Sequence, residues 1–137
     1  MKSSVSISSG QEAPSSFLTK MTVLGATGSI GLSTLDIVRQ FPQKFQIEAL
    51  SCKNSTEQLA EQIKEFSPRL ACVDSSGQAR ELQETFPETK FVWGVEGLAQ
   101  ISSDPEVDLV LAGIVGAAGL LPTFSAVQAG KKVAVAN

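Results

Sequence analysis

The chain has 137 residues, 42% of them apolar and 18% charged, with a net charge of −3. This is the composition of one globular domain with a real core, and it is not built to neutralise a nucleic-acid backbone or an anionic membrane. Without His or Tyr, a His-centred triad, a His-bearing metal site and a Tyr-Lys reductase pair cannot come from this chain; its two cysteines, Cys52 and Cys72, are too few for a disulfide framework and fit a reducing, cytoplasmic setting.

Residues 1–19 are rich in serine and lack the apolar run of a secretory signal, so they read as a disordered tail. Lys20–Leu24 is a short apolar strand. It runs into the glycine-rich Gly25–Gly31, and a helical stripe of Gly31, Leu35 and Val38 follows, ended by Phe41-Pro42. Phe45–Leu50 reads as a second strand. Ser55-Thr56 then caps a helix with the stripe Leu59, Ile63 and Phe66, closed by Pro68. Leu70–Val73 is a third strand and Ala79, Leu82 and Phe86 mark the next helix. Lys90–Trp93 is a fourth strand, with Trp93 packed at its end, and Val95, Leu98 and Ile101 mark a short helix. Val107–Ala112 is a fifth strand. Pro122 suits the first turn of a helix ending near Gly130, and Lys132–Ala136 is a sixth strand. The strands at 107–112 and 132–136 are apolar on both faces and read as central. Such an alternation argues an α/β fold, with a mostly parallel six-stranded sheet and right-handed crossovers.

Gly25-Ala-Thr-Gly-Ser-Ile-Gly31 carries the chemistry. It joins a strand to a helix, the context a dinucleotide fingerprint requires, although its spacing is G-x-x-G-x-x-G rather than G-x-G-x-x-G. Gly25 permits a tight turn, Gly28 lets backbone approach a pyrophosphate, and Gly31 lets the helix pack closely. The first N–H groups of the helix then face the phosphates, with hydroxyls from Thr27 and Ser29 beside them. The second strand ends in Leu50-Ser-Cys-Lys-Asn-Ser55, with no acid for a ribose 2′-hydroxyl. Lys53 and Asn54 suit a 2′-phosphate instead, which favours NADP over NAD. The small-residue loop Gly113–Pro122 and Asn137 lie beyond the carboxyl ends of later strands, where ribose or nicotinamide would sit. Glu57, Glu61 and Glu65 read as a solvated helix face. No carboxylate set suggests a metal site, and no residue is assigned a catalytic role.

Together these motifs resemble the start of 1-deoxy-D-xylulose 5-phosphate reductoisomerases. The resemblance rests on Val23–Gly31, Ser33–Val38, Lys53-Asn54, Glu65–Arg69, Ala112–Thr123, Ala129–Lys131 and Ala136-Asn137, and runs from about Thr22 to the last residue. It implies a Rossmann-like doubly wound domain with helices on both faces, here residues 20–137, binding NADPH through Thr27, Gly28, Ser29, Ile30, Cys52, Lys53, Asn54 and Asn137. Cys52 stands where the family commonly has Gly. The resemblance further implies that the parent enzyme converts 1-deoxy-D-xylulose 5-phosphate to 2-C-methyl-D-erythritol 4-phosphate in non-mevalonate isoprenoid biosynthesis, with Mg or Mn, as a homodimer. A cytoplasmic location fits better than a plastid. The family's metal ligands, its lid and its C-terminal domain are not in this chain, so the chain is expected to bind cofactor without catalysis. The alternatives are the NADP-binding domain of another reductase, or a non-catalytic nucleotide-binding module.

Overall fold

Strands and helices alternate throughout the computed structural model, which describes residues 18–114 and 116–135. The strands are β1 (Thr19–Leu24), β2 (Phe45–Ser51), β3 (Leu70–Val73), β4 (Lys90–Trp93), β5 (Leu109–Ala112) and β6 (Lys132–Val135). The helices are α1 (Ser29–Gln40), α2 (Thr56–Phe66), α3 (Ser76–Thr85), α4 (Gly94–Ser103) and α5 (Leu120–Gln128), the last preceded by a 3-10 turn at Gly116–Gly119. All strands pair in parallel, in the order β4-β3-β2-β1-β5-β6. The chain winds outward from β1 to β4, then crosses back beyond β1 to β5 and β6. This is the parallel α/β sheet that the alternation predicts, in the doubly wound, Rossmann-like arrangement that the resemblance implies.

Helical stripes decide which face each helix buries. Leu35 and Val38 of α1, Leu59 and Ile63 of α2, and Ala79 and Leu82 of α3 pack with Val23, Ile47, Ala71 and Phe91 on one face. Ile101 of α4 and Ala126 of α5 pack with Leu24, Ala49, Cys72 and Val110 on the other. Thr22, fully buried in β1, donates its hydroxyl to the Ile101 carbonyl at 2.8 Å and so ties the last turn of α4 to the sheet. The β1–β2 register slips at Glu48, which β2 holds opposite no partner: Met21 pairs with Ile47 and Thr22 with Ala49. The Glu48 carboxylate is buried and accepts from Arg69 Nε at 3.1 Å, while the same guanidinium reaches Asp104 at 2.5 Å.

Several local expectations change. Residues 132–135 form an edge strand of the described sheet rather than a central one, because apolar faces report coverage above and below, not lateral neighbours. The fifth strand begins at Leu109, with Val107 buried in the turn before it, and the first begins at Thr19. Trp93 is 50% exposed at the end of edge strand β4, and Val95 is 60% exposed. Gly97 instead carries the buried face of α4, where a Cβ would stand 2.9 Å from Cys72 Sγ. Ser55 is the N-cap of α2 but its side chain makes no capping bond.

Candidate functional site

The winding direction reverses between β1 and β5, and in an open parallel sheet the crevice beyond such a reversal is where ligands bind. Two glycine-bearing loops meet there. The Gly113 N–H donates to the Leu24 carbonyl at 3.0 Å, and a Cβ on Gly113 would stand 2.6 Å from that same oxygen. Gly25 has φ +74° and faces the Gly113 carbonyl, so a side chain there would be strained twice over. At Gly31 a Cβ would lie 2.3 Å from the Gly25 carbonyl and 2.6 Å from Ala26 Cα. The third glycine therefore packs α1 onto the turn itself, closer than onto the sheet.

Gly28 differs from its neighbours. Its φ is −81°, and a Cβ there would meet only the Gly25 carbonyl at 3.5 Å, an ordinary contact. Its missing side chain opens space on the outer side of the loop. Thr27 is half-buried, Gly28 and Ser29 are exposed, and Ile30 is half-buried against Gly113. Gly28 caps α1 without any side-chain bond. The Ser29, Ile30 and Gly31 N–H groups have no partner among the described residues. The positive end of a twelve-residue helix thus opens onto the crevice.

Cys52, Lys53 and Asn54 stand one strand away on the same edge of the sheet. Cys52 is buried, and burial, with the Asp74 carboxylate adding to it, pushes its thiol up to about 11. Burial, then Cys52 and Asp74, push Cys72 up to about 12. Both are therefore protonated thiols near neutral pH. They lie in cores on opposite faces of the sheet and are not a disulfide pair. Lys53 and Asn54 are exposed, and Lys53 makes no ion pair among the described residues. Its carbonyl accepts from Gln78 Nε2 at 3.2 Å, while Gln78 Oε1 closes a capping box at the start of α3. Asn137 lies outside the described residues.

Two side chains of this site, Ser51 and Gln62, carry no sequence signature, and a third, Gln78, stands at the Ser-x-x-Gln spacing of a capping box after Ser75. Ser51 Oγ accepts from the Gly25 N–H at 2.9 Å, and its carbonyl accepts from the Ala26 N–H at 2.7 Å. Gln62 of α2 reaches across to donate to the Ala26 carbonyl at 2.9 Å. Gln78 holds the second loop in the same way. These contacts join residues 25 to 36 positions apart, beyond any local spacing rule. Among the described residues no group of three or more His, Cys, Asp or Glu could hold a metal ion, and no helix is long and apolar enough to cross a membrane.

The family profile described as 1-deoxy-D-xylulose 5-phosphate reductoisomerase matches residues 21–137. The chain belongs to that family. A reductoisomerase of Dechloromonas aromatica is 49% identical over 127 residues, covering 90% of this chain and 32% of that protein. One from Chlorobium phaeobacteroides is 47% identical over 119 residues, covering 85% of this chain and 31% of its own length. The fold agrees: a crystal structure of the reductoisomerase with NADPH, fosmidomycin and magnesium superposes with a TM-score of 0.83 at 41% identity, over 88% of this chain and 30% of that one. The Zymomonas mobilis reductoisomerase in complex with NADPH gives 0.80 at 33% identity, over 88% and 32%. The chain spans about a third of the length of the reductoisomerases it matches.

Proposed function

We propose that residues 20–137 are the NADPH-binding domain of a 1-deoxy-D-xylulose 5-phosphate reductoisomerase, preceded by a tail at 1–19. The observation that carries this reading is the open start of α1 at the β1–β5 reversal, where N–H groups with no partner among the described residues and a glycine with free space on its outer side meet. That is what a pyrophosphate needs from backbone. Residues Thr27, Gly28, Ser29 and Ile30 would hold the pyrophosphate. Cys52, Lys53 and Asn54 would line the adenosine end, with the Lys53 ammonium and the Asn54 amide facing a 2′-phosphate, and Asn137 would orient the nicotinamide. NADPH, when bound, supplies a hydride.

This chain's own contribution is binding and orientation. Neutral thiols at Cys52 and Cys72 take no part in the chemistry, and no catalytic residue is proposed within the chain. Its described residues do not fit a divalent metal, so the Mg or Mn proposed for the whole enzyme would be held outside this domain. The whole enzyme would convert 1-deoxy-D-xylulose 5-phosphate to 2-C-methyl-D-erythritol 4-phosphate as a homodimer, and the isolated chain would not turn over. A cytoplasmic location is supported by two free, buried cysteines.

Calorimetric titration with NADPH and with NADH tests the reading. Saturable NADPH binding at least tenfold tighter than NADH is expected, since a charge-assisted phosphate contact contributes about 1.5–3 kcal/mol. A folded chain that binds neither nucleotide overturns it.

A further inference from the structure

Three N–H groups of the glycine loop are bonded within the protein. Gly25 N–H bonds to Ser51 Oγ, Ala26 N–H to the Ser51 carbonyl, and Gly28 N–H to the Gly25 carbonyl at 3.1 Å. The Ala26 carbonyl would be a lone acceptor under this loop, because Ala26 has no exposed surface. Gln62, itself 4% exposed, supplies its donor at 2.9 Å, although its own Oε1 then lacks a partner among the described residues. A buried amide oxygen left unpaired costs free energy. The cost is accepted at a position where Leu or Met would pack without it.

A trans peptide is planar, with its C=O and N–H pointing in opposite directions. Drawing the Ala26 carbonyl toward α2 therefore turns the Thr27 N–H away from α2, and that N–H, like those of Ser29 and Ile30, has no partner among the described residues. We infer that Gln62 is a positioning residue for the nucleotide: by holding the Ala26 carbonyl it aims the Thr27 N–H at the bound pyrophosphate. The inference rests on the cofactor-binding reading above. It deepens that reading by adding a residue that touches no ligand and lies on the helix following Lys53 and Asn54. Ser51 and Gln62 flank those two residues in the chain, so the same strand–helix unit that presents them also sets the pyrophosphate loop.

The test compares Gln62→Met, which keeps length and apolar packing but removes the donor, with the unaltered chain. Two probes are used at a temperature where melts show both proteins folded: NADPH, which spans both loops, and adenosine 2′-phosphate, which lacks the pyrophosphate and engages the Lys53–Asn54 end. Gln62→Met is expected to weaken NADPH about five- to tenfold, as loss of one aimed hydrogen bond would, while the adenosine 2′-phosphate Kd moves less than twofold. A merely structural glutamine would lower Tm and shift both probes together, or neither; either result overturns the inference. Failure of the unaltered chain to bind NADPH overturns the cofactor reading and this inference with it. Unchanged NADPH affinity in Gln62→Met overturns the inference alone. Should the variant not fold, proton exchange at Gln62 Nε2 in the unaltered chain replaces it: exchange slowed by NADPH but not by adenosine 2′-phosphate supports the inference, and equal exchange with both overturns it.

Discussion

On the β4-to-β1 side of the sheet, Leu35, Leu50 and Leu59 have no exposed surface, while on the β5–β6 side Phe124, Val127 and Val135 are 55%, 59% and 64% exposed. The covered side has helices on both faces: α1 to α3 lie over one face of its four strands, and α4 packs against the other. On the α1–α3 face, Leu109 and Leu111 of β5 are packed against the cluster but only half-buried. The other side has α5 and an edge strand that buries little. Its residues are as apolar as those of the covered side. Apolarity in sequence thus tracks what a residue is fit to touch, and the structure shows what it does touch. The glycine loop lies at the seam, tied by Ser51 and Gln62 to the covered side and facing Gly113 on the other.

If this contrast is right, truncating a side chain should be costly on one side and nearly free on the other. Leu35→Ala removes a fully buried side chain of α1 and is expected to lower unfolding free energy by about 2–5 kcal/mol in urea titrations. Val127→Ala, a truncation on the exposed face of α5, should change it by less than about 0.5 kcal/mol in the same titrations. Equal losses would mean that the α5 face is as well packed as the α1 face, and the contrast would fail. Between these two in effect lies the NADPH preference expected from Lys53 and Asn54, whose loop hangs from the covered side.

Much of the covered side could be read from spacing. The stripe Gly31, Leu35 and Val38 is the buried face of α1, and Leu59 and Ile63 are buried in α2 as their period requires. Periodicity works there because the apolar stripe of each helix turns to the sheet, while α1 and α2 meet each other through polar side chains such as Arg39 and Glu65. Its failures fall where lateral position matters. Trp93 and Val95 follow the expected pattern but sit beside an edge strand with nothing beyond it among the described residues, and β6 is apolar yet terminal in the sheet. In the site, the glycine turn is recognisable because Gly25 and Gly31 answer steric demands within a few residues, a positive φ and a close approach to the turn, while Gly28 leaves open space between them. Ser51 and Gln62 are not, because what they do is decided by the register of β1 on β2 and of α2 over the loop, which no local pattern encodes; the Ser75–Gln78 capping box is local, but its reach to the Lys53 carbonyl is not.

The most direct test of the central claim is amide chemical-shift mapping of the chain as NADPH is added. The largest shifts are expected at residues 25–31, at Lys53 and Asn54, and at Gly113 across the seam. Shifts centred instead on the groove of about 430 Å³ between α1 and α2, lined by Leu32, Arg39, Gln58 and Glu61, would contradict a site at the β1–β5 reversal.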